Sequence, residues 1–150
     1  MIALNFLFTE LAKIFNKKNE LEILAKSTLE NARNELFTPS YKNPLAKSIV
    51  SVMNEKDALP VCEAILKYPF NWSPPTTSKD RLYIQHSIAK YHVELIGPTG
   101  LVKSNRIRIG FYGMLPNSEY GIRTHPADEI YVMLAGEVFW QVDNKPYLLH

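Results

Sequence analysis

Residues 119–136 read EYGIRTHPADEIYVMLAG, and this stretch decides the interpretation of the second half of the chain. It places an imidazole, a carboxylate and two phenols close together and continues into alternating residues and a turn at Gly136. Glu129 and Tyr131 are two positions apart, and in a β-strand this spacing points both side chains to the same face. The pattern predicts a strand at 129–134 that carries a functional site.

His125 comes just before this predicted strand, near enough to converge with Glu129 and Tyr131 on one ion. Imidazole and carboxylate groups bind zinc, iron, manganese, nickel or copper, and the ligand types do not choose among these metals. A bound dication favours the phenolate of a tyrosine whose ordinary pKa is about 10. We therefore expect one divalent transition metal at His125, Glu129 and Tyr131, with Tyr131 able to act as a base. The alternative is that His125 caps the turn, Glu129 is solvated and Tyr131 packs in the core.

Alternating apolar and polar residues predict further strands on both sides of this stretch. Asp143-Asn144 is a hairpin signal, and a tight turn is predicted at 97–100. The predicted strands contain 91–96, 106–112, 137–142 and 146–150.

The first part of the chain instead has helical periodicity. Asn19 followed by Glu22 has the form of a capping box, and Pro39 ends the helix that it starts. Asn43-Pro44 predicts the N-cap and first position of another helix. The predicted helices lie at about 1–15, 20–38, 44–53 and 57–68.

This order of elements predicts an α+β protein with a helical region at 1–70, a proline-rich linker at 71–81 and a partial β-barrel at 82–150. Only four or five strands are predicted, whereas a small closed barrel or jelly roll needs about eight. We expect the chain to be a fragment that stops after its first barrel motif. The alternative is that a partner, such as a second copy in a homodimer, covers the bare sheet edge.

The composition, 46% hydrophobic and 21% charged residues, is that of an ordinary globular protein. A net charge of +2 without a basic stripe argues against nucleic acid or an anionic membrane as a partner. No apolar run approaches the ~20 residues of a membrane span. The single cysteine, Cys62, excludes an intrachain disulfide and fits a packed side chain in a reducing compartment. We expect a cytoplasmic protein that acts on a small molecule.

Three stretches together carry a resemblance to a known family: HVELIGP at 92–98, RIRIG at 106–110 and HPADEIY at 125–131. They resemble the cupin-type dimethylsulfoniopropionate lyase family, and the HPAxEIY core followed by a glycine turn is quite specific. The resemblance covers about residues 60–150, and the preceding helices are similar to the family's N-terminal region. It implies helices followed by a cupin domain, a jelly-roll β-barrel. The implied activity is metal-dependent cleavage of dimethylsulfoniopropionate to dimethyl sulfide and acrylate.

The resemblance also implies roles for individual residues. His125 and Glu129 would be metal ligands, Tyr131 a ligand or base beside the metal, and Tyr120 a second phenol in the pocket. The substrate's sulfonium group has no hydrogen-bond donor, and aromatic faces suit such a cation. Candidates for that contact are Trp140, Tyr112 and Trp72, each of which could instead be a core residue.

Two departures from the family pattern concern the site. The family usually has histidine two positions before the equivalent of His125, where this chain has Arg123. A protonated arginine cannot bind a metal, but Arg123 could bind a substrate carboxylate, or it could be a surface charge. The family's remaining ligand histidine comes from a strand beyond residue 150, and His150 is too early in the pattern to replace it.

Two other functions stay open on the sequence alone. The chain could be a metal-dependent cupin enzyme that acts on another small carboxylate, because a fold does not fix a function. It could also be a non-enzymatic small-molecule-binding cupin whose metal site has decayed, with Arg123 as the trace of that decay.

Overall fold

The computed structural model describes residues 1–16, 18–76, 78–122 and 127–149. It has the mixed α+β architecture that the sequence predicts, with helices in the first half and most of the strands in the second. The helices are α1 (Asn5–Ala12), α2 (Glu20–Ala32), α3 (Lys47–Met53), α4 (Val61–Leu66) and α5 (Arg81–Ser87). The strands are β1 (Ile2–Ala3), β2 (Leu36–Phe37), β3 (Lys90–Gly97), β4 (Val102–Lys103), β5 (Ile109–Met114), β6 (Val138–Val142) and β7 (Lys145–Leu149).

Helix α2 begins where its capping signal predicts. The Asn19 side chain accepts a hydrogen bond from the backbone N–H of Glu22 at 2.9 Å. The Glu22 carboxylate in turn accepts from the backbone N–H groups of Asn16 and Lys18. This side chain therefore fixes the incoming chain instead of returning to Asn19, as it would in a full capping box.

The strands form three small sheets, ordered β1-β2, β4-β3-β5 and β6-β7. Strands β3 and β5 are antiparallel, and the short β4 pairs parallel to β3 after a turn closed between Gly97 and Gly100. The β6–β7 hairpin turns at Asp143 and Asn144, whose φ angles of 47° and 62° are those of a type I′ turn. The described residues do not close into a barrel, so the predicted cupin jelly roll is not confirmed.

Four local predictions are wrong. Helix α2 ends at Ala32 and not at Pro39, since Leu36–Phe37 form strand β2. Residues 129–134 form no strand, because no strand among the described residues pairs with them. Helix α5 lies in the region that was predicted as a partial β-barrel, and Asp80 caps it by accepting from the backbone N–H of Tyr83. Helix α3 begins after Ala46, so Pro44 is not its first residue.

The hydrophobic core contains residues from both halves of the chain. Trp72, in the proline-rich segment, is 7% exposed and packs between Phe70 and Phe111 at ring distances of 6.0 and 6.2 Å. It is a core residue and does not line the site. Other core residues are Leu4, Leu7, Phe8, Leu29, Ile65, Val93, Leu95 and Ile96. Among the described residues, no helix has the length and apolar character needed to cross a membrane.

Candidate active site

Three of the predicted site residues form a continuous chain of hydrogen bonds. The Tyr131 hydroxyl donates to Oε2 of Glu129 at 2.6 Å. The Tyr120 hydroxyl lies 3.1 Å from the Tyr131 hydroxyl. A phenol has one proton to donate, and that of Tyr131 is directed to the carboxylate. Tyr120 is therefore the donor to Tyr131, and the order is Tyr120, Tyr131, Glu129.

Aromatic rings surround this chain of hydrogen bonds. The Trp140 ring lies 4.6 Å from that of Tyr131 and 5.3 Å from that of Tyr120. Tyr112 meets Tyr120 edge-on at 5.9 Å. Tyr112 and Tyr131 are 44% and 41% exposed, so the cluster faces solvent. The structure thus brings together five of the eight candidate site residues, and two of them, Tyr112 and Trp140, form aromatic walls.

Different elements supply these side chains. Tyr112 comes from β5 and Trp140 from β6, while Tyr120, Glu129 and Tyr131 come from segments without regular structure. None of these five residues lines either of two cavities. One, of about 280 Å³, is lined by Phe70, His92 and Thr99 among others. The other, of about 410 Å³, lies between α1 and α2.

Helix α4 holds the segment that carries Glu129 and Tyr131. The carbonyl oxygen of Leu134 accepts from the backbone N–H of Leu59 at 2.7 Å and from the Cys62 thiol at 3.4 Å. Cys62 is buried, and burial raises the pKa of its thiol, so the group stays protonated and can donate. The expected packed role of Cys62 is confirmed.

The segment that carries Tyr120 is held by contacts with helix α5 and with the residue that precedes β3. Gly121 has φ of +83°, and a Cβ there would lie 2.2 Å from Nδ1 of His86 in helix α5. Glycine is therefore required by both backbone conformation and space. The backbone N–H of Leu115 also donates to the carbonyl of Ala89 at 3.0 Å, which joins the start of this segment to β3.

Lys90 is the residue at this site that the sequence interpretation missed. It is 1% exposed, its Nζ donates to the carbonyl of Tyr120 at 2.6 Å, and the same atom lies 4.1 Å from the centre of the Tyr120 ring. The alternation of β3 places Lys90 on the face opposite the core residues Val93 and Leu95. Because lysine is also seldom buried, neither the pattern nor the residue type pointed to a buried position.

The surroundings of Tyr131 favour its neutral form. Partial burial raises the pKa of this phenol, and the hydrogen bonds to Glu129 and Tyr120 raise it further. The Glu129 carboxylate acts by accepting a hydrogen bond from the neutral phenol and by repelling the charge of a phenolate. Without an added positive charge, Tyr131 is a hydrogen-bond donor and not a base at neutral pH.

The oxygens of Glu129 and Tyr131 fit a metal ion. At 2.6 Å apart, both atoms can lie within the ~2.0–2.2 Å bond length of a carboxylate oxygen to zinc. His125 and Arg123 lie outside the described residues, as does His150. Within the described part of the chain, no three histidine, cysteine, aspartate or glutamate side chains cluster in a way that could hold an ion. The predicted nitrogen ligand therefore stays a prediction.

The fold and this cluster define an α+β protein with a phenol–carboxylate centre inside a group of aromatic rings. Comparison with protein-family profiles matches residues 25–148 to the dimethylsulfoniopropionate lyase family. The match covers most of the chain, and the chain belongs to this family. Neither the curated proteins nor the solved structures gave a significant match.

Proposed function

We propose that this chain is a metal-dependent lyase that cleaves dimethylsulfoniopropionate to dimethyl sulfide and acrylate. The observation that carries the proposal is the hydrogen-bonded order Tyr120, Tyr131, Glu129 beside Trp140. Membership of the lyase family gives the substrate class. The arrangement supports the elimination because it holds a phenol that a bound cation would convert to a base, beside an aromatic surface that suits a sulfonium cation.

The elimination moves one proton and breaks one bond. The Tyr131 oxygen, as phenolate, takes a proton from the α-carbon of the substrate. The electron pair of that C–H bond forms the α,β double bond, and the C–S bond pair leaves with neutral dimethyl sulfide. Acrylate remains, and the proton stays on the Tyr131 oxygen until it passes to solvent. Tyr120, 3.1 Å from this oxygen, stabilises the phenolate by donating a hydrogen bond.

A metal ion bound by Glu129, Tyr131 and His125 would supply the positive charge that favours the Tyr131 phenolate and stabilises the substrate carboxylate. In the metal-free protein, Glu129 orients Tyr131 for this role through the 2.6 Å hydrogen bond that the protonated phenol donates. We propose that Arg123 binds the substrate carboxylate, because a guanidinium matches a carboxylate with two parallel hydrogen bonds.

Trp140 and Tyr112 are the side chains proposed to receive the dimethylsulfonium group. A cation within about 6 Å of an aromatic centroid is stabilised by the negative ring face. Trp140 lies in ring contact with the proposed base, at 4.6 Å. A sulfonium on its face would therefore hold the α-carbon close to Tyr131.

The test is headspace detection of dimethyl sulfide from purified protein mixed with dimethylsulfoniopropionate, after reconstitution with each candidate metal in turn. Formation of dimethyl sulfide and acrylate in equal amounts supports the proposal. Absence of dimethyl sulfide with all of the metals contradicts the proposal. Metal analysis separates the alternatives, because a decayed binding protein would retain less than about a tenth of an equivalent. A protein that retains metal but forms no dimethyl sulfide would act on another small carboxylate.

A further inference from the structure

Lys90 makes two contacts with Tyr120 from within the protein interior. Its ammonium donates to the Tyr120 carbonyl at 2.6 Å and lies over the ring of the same residue at 4.1 Å. The side chain is 1% exposed. A hydrogen bond to the backbone and a cation on the ring face therefore fix both the main chain and the side chain of one residue.

Burying the Lys90 ammonium is costly, and this cost restrains the position of Tyr120. Removing an ammonium group from water is costly even after relaxation of the protein. The Tyr120 carbonyl and its desolvated ring face offset part of that cost. Moving Tyr120 away would weaken these two contacts at once. The buried charge therefore penalises displacement of the ring.

We propose that Lys90 is a positioning residue for Tyr120, which it holds so that the Tyr120 hydroxyl stays within hydrogen-bonding distance of Tyr131. This inference rests on the proposed function, because it assigns Lys90 a part in the same elimination. Lys90 begins β3 and pairs with Met114 on β5. The regular sheet thereby fixes a tyrosine that lies in a segment without regular structure of its own.

Lys90 also affects substrate specificity. The Tyr120 ring face beneath its ammonium already holds a cation, and two cations on one face would repel. The substrate's sulfonium therefore binds to Trp140, and Tyr120 contributes its hydroxyl to the reaction. A Tyr120→Phe substitution should consequently lower kcat and leave KM within about twofold.

The central experiment compares Lys90→Met with Lys67→Met. Lys67 is a matched control because its ammonium also lies over a ring, that of Phe6 at 5.0 Å, but its side chain is 54% exposed and far from the site in sequence. Lys90→Met should lower kcat by about 10- to 100-fold, the range expected when a reacting group moves by about 1 Å. KM should stay within about twofold, and Lys67→Met should match wild type.

A double-mutant cycle distinguishes positioning from general loss of structure. In a Tyr120→Phe background, Lys90→Met should change kcat by less than about twofold, since the hydroxyl that it positions is already gone. A Lys90→Met loss of the same size in both backgrounds would overturn the proposal. Lys90→Arg keeps a cation over the ring and should recover most of the kcat lost in Lys90→Met. Lys90→Gln replaces Lys90→Met in the cycle if the methionine variant does not fold.

A second measurement does not depend on activity, so it separates this inference from the proposed function. In a Trp72→Phe background, Trp140 is the remaining tryptophan, and it lies 5.3 Å from the Tyr120 ring. Lys90→Met should shift or quench its fluorescence, while Lys67→Met should not. An unchanged Trp140 spectrum in a folded Lys90→Met protein contradicts the inference. A changed spectrum in a protein that forms no dimethyl sulfide contradicts the proposed function alone.

Discussion

The Tyr131 hydroxyl donates a hydrogen bond to Oε2 of Glu129 across 2.6 Å, which makes a phenol and a carboxylate partners on one edge of the site. The carboxylate raises the pKa of the phenol, in addition to the larger effect of burial. Glu129 therefore has opposite effects on the proposed base with and without a cation. In the metal-free protein it keeps the proton on Tyr131, and with a cation it becomes a ligand beside a phenolate.

Glu129→Gln should lower the pKa of Tyr131 in the metal-free protein. The amide neither carries a negative charge nor accepts as strong a hydrogen bond, so the phenolate is less disfavoured. Ultraviolet absorbance between pH 8 and 12 measures this as the phenolate that Glu129→Gln gains over wild type, with the Tyr131→Phe titration subtracted to isolate one tyrosine. An unchanged or higher pKa would show that Glu129 does not determine the ionisation of Tyr131.

Because its pKa is raised on folding, Tyr131 contributes stability that is fully present below its ordinary pKa of about 10 and is lost as the pH rises through the folded value. The metal-free protein should accordingly lose stability above pH ~10 more steeply than Tyr131→Phe does.

Tyr131→Phe should abolish turnover and keep the fold, because it removes the base and almost no volume. A positioned base contributes about 10²- to 10⁴-fold to rate, so dimethyl sulfide formation should fall by at least about 10²-fold. Tyr41→Phe is the matched control, since Tyr41 is 79% exposed and away from the cluster. Retention of most of the rate in Tyr131→Phe would assign the base to another group.

Gly121→Ala should lower both stability and activity. Its Cβ would lie 2.2 Å from Nδ1 of His86, and φ of +83° disfavours any L side chain. We expect a loss of at least about 1 kcal/mol in the free energy of unfolding, together with a lower kcat because Tyr120 is the adjacent residue. Urea unfolding measures the first effect and dimethyl sulfide formation the second.

The double variant His86→Ala/Gly121→Ala separates the two causes. Removing the imidazole relieves the steric contact but not the backbone strain, so part of the stability should return. Full additivity of the two single substitutions would mean that the Cβ added at position 121 does not clash with the His86 ring.

His92 should make the protein less stable in mild acid. Burial lowers the pKa of this imidazole, an effect that the nearby Glu94 charge opposes and Arg108 reinforces. The unfolded chain then binds more protons than the folded one near the ordinary pKa of 6.5. The contribution of neutral His92 is fully present above that pH and is lost as the pH falls through the folded pKa.

Melting temperature measured from pH 8 to pH 5 tests this for wild type and His92→Asn. The variant should show a flatter dependence on pH, although it loses the ring contact with Tyr112 at 4.6 Å and melts lower overall. Parallel curves for the two proteins would contradict the assignment to His92.

Local signals in the sequence predicted what depends on near neighbours. The Asn19 cap, the alternation in β3 and β5, and the Asp143-Asn144 turn all follow from contacts within a few residues. Helix α5 was missed because its apolar residues, Leu82 and Ile84, alternate like a strand, although Asp80 was a recognisable cap. Residues 129–134 also alternate like a strand, but they form none because no strand among the described residues pairs with them.

Part of the site could be predicted from the sequence, and part could not. Tyr120, Glu129, Tyr131 and Trp140 do converge. The spacing of Glu129 and Tyr131 indicated that pair, whereas Tyr120 and Trp140 were expected at the site only from the family resemblance. Lys90 was missed because its burial depends on a contact with a residue 30 positions away. No local pattern marks such a lysine. The alternation of β3 gave no sign of it either, because it places Lys90 on the face opposite the core residues Val93 and Leu95.

The Leu134 carbonyl, which accepts from Leu59 and Cys62, has a consequence for how the chain can be divided. A truncation that starts at residue 71 would delete both donors while leaving every aromatic residue of the cluster in place. The shortened protein would still contain Glu129 and Tyr131, but the backbone that presents them would have lost its attachment. The helical half thus supports the position of the proposed site indirectly, through one oxygen atom that it binds.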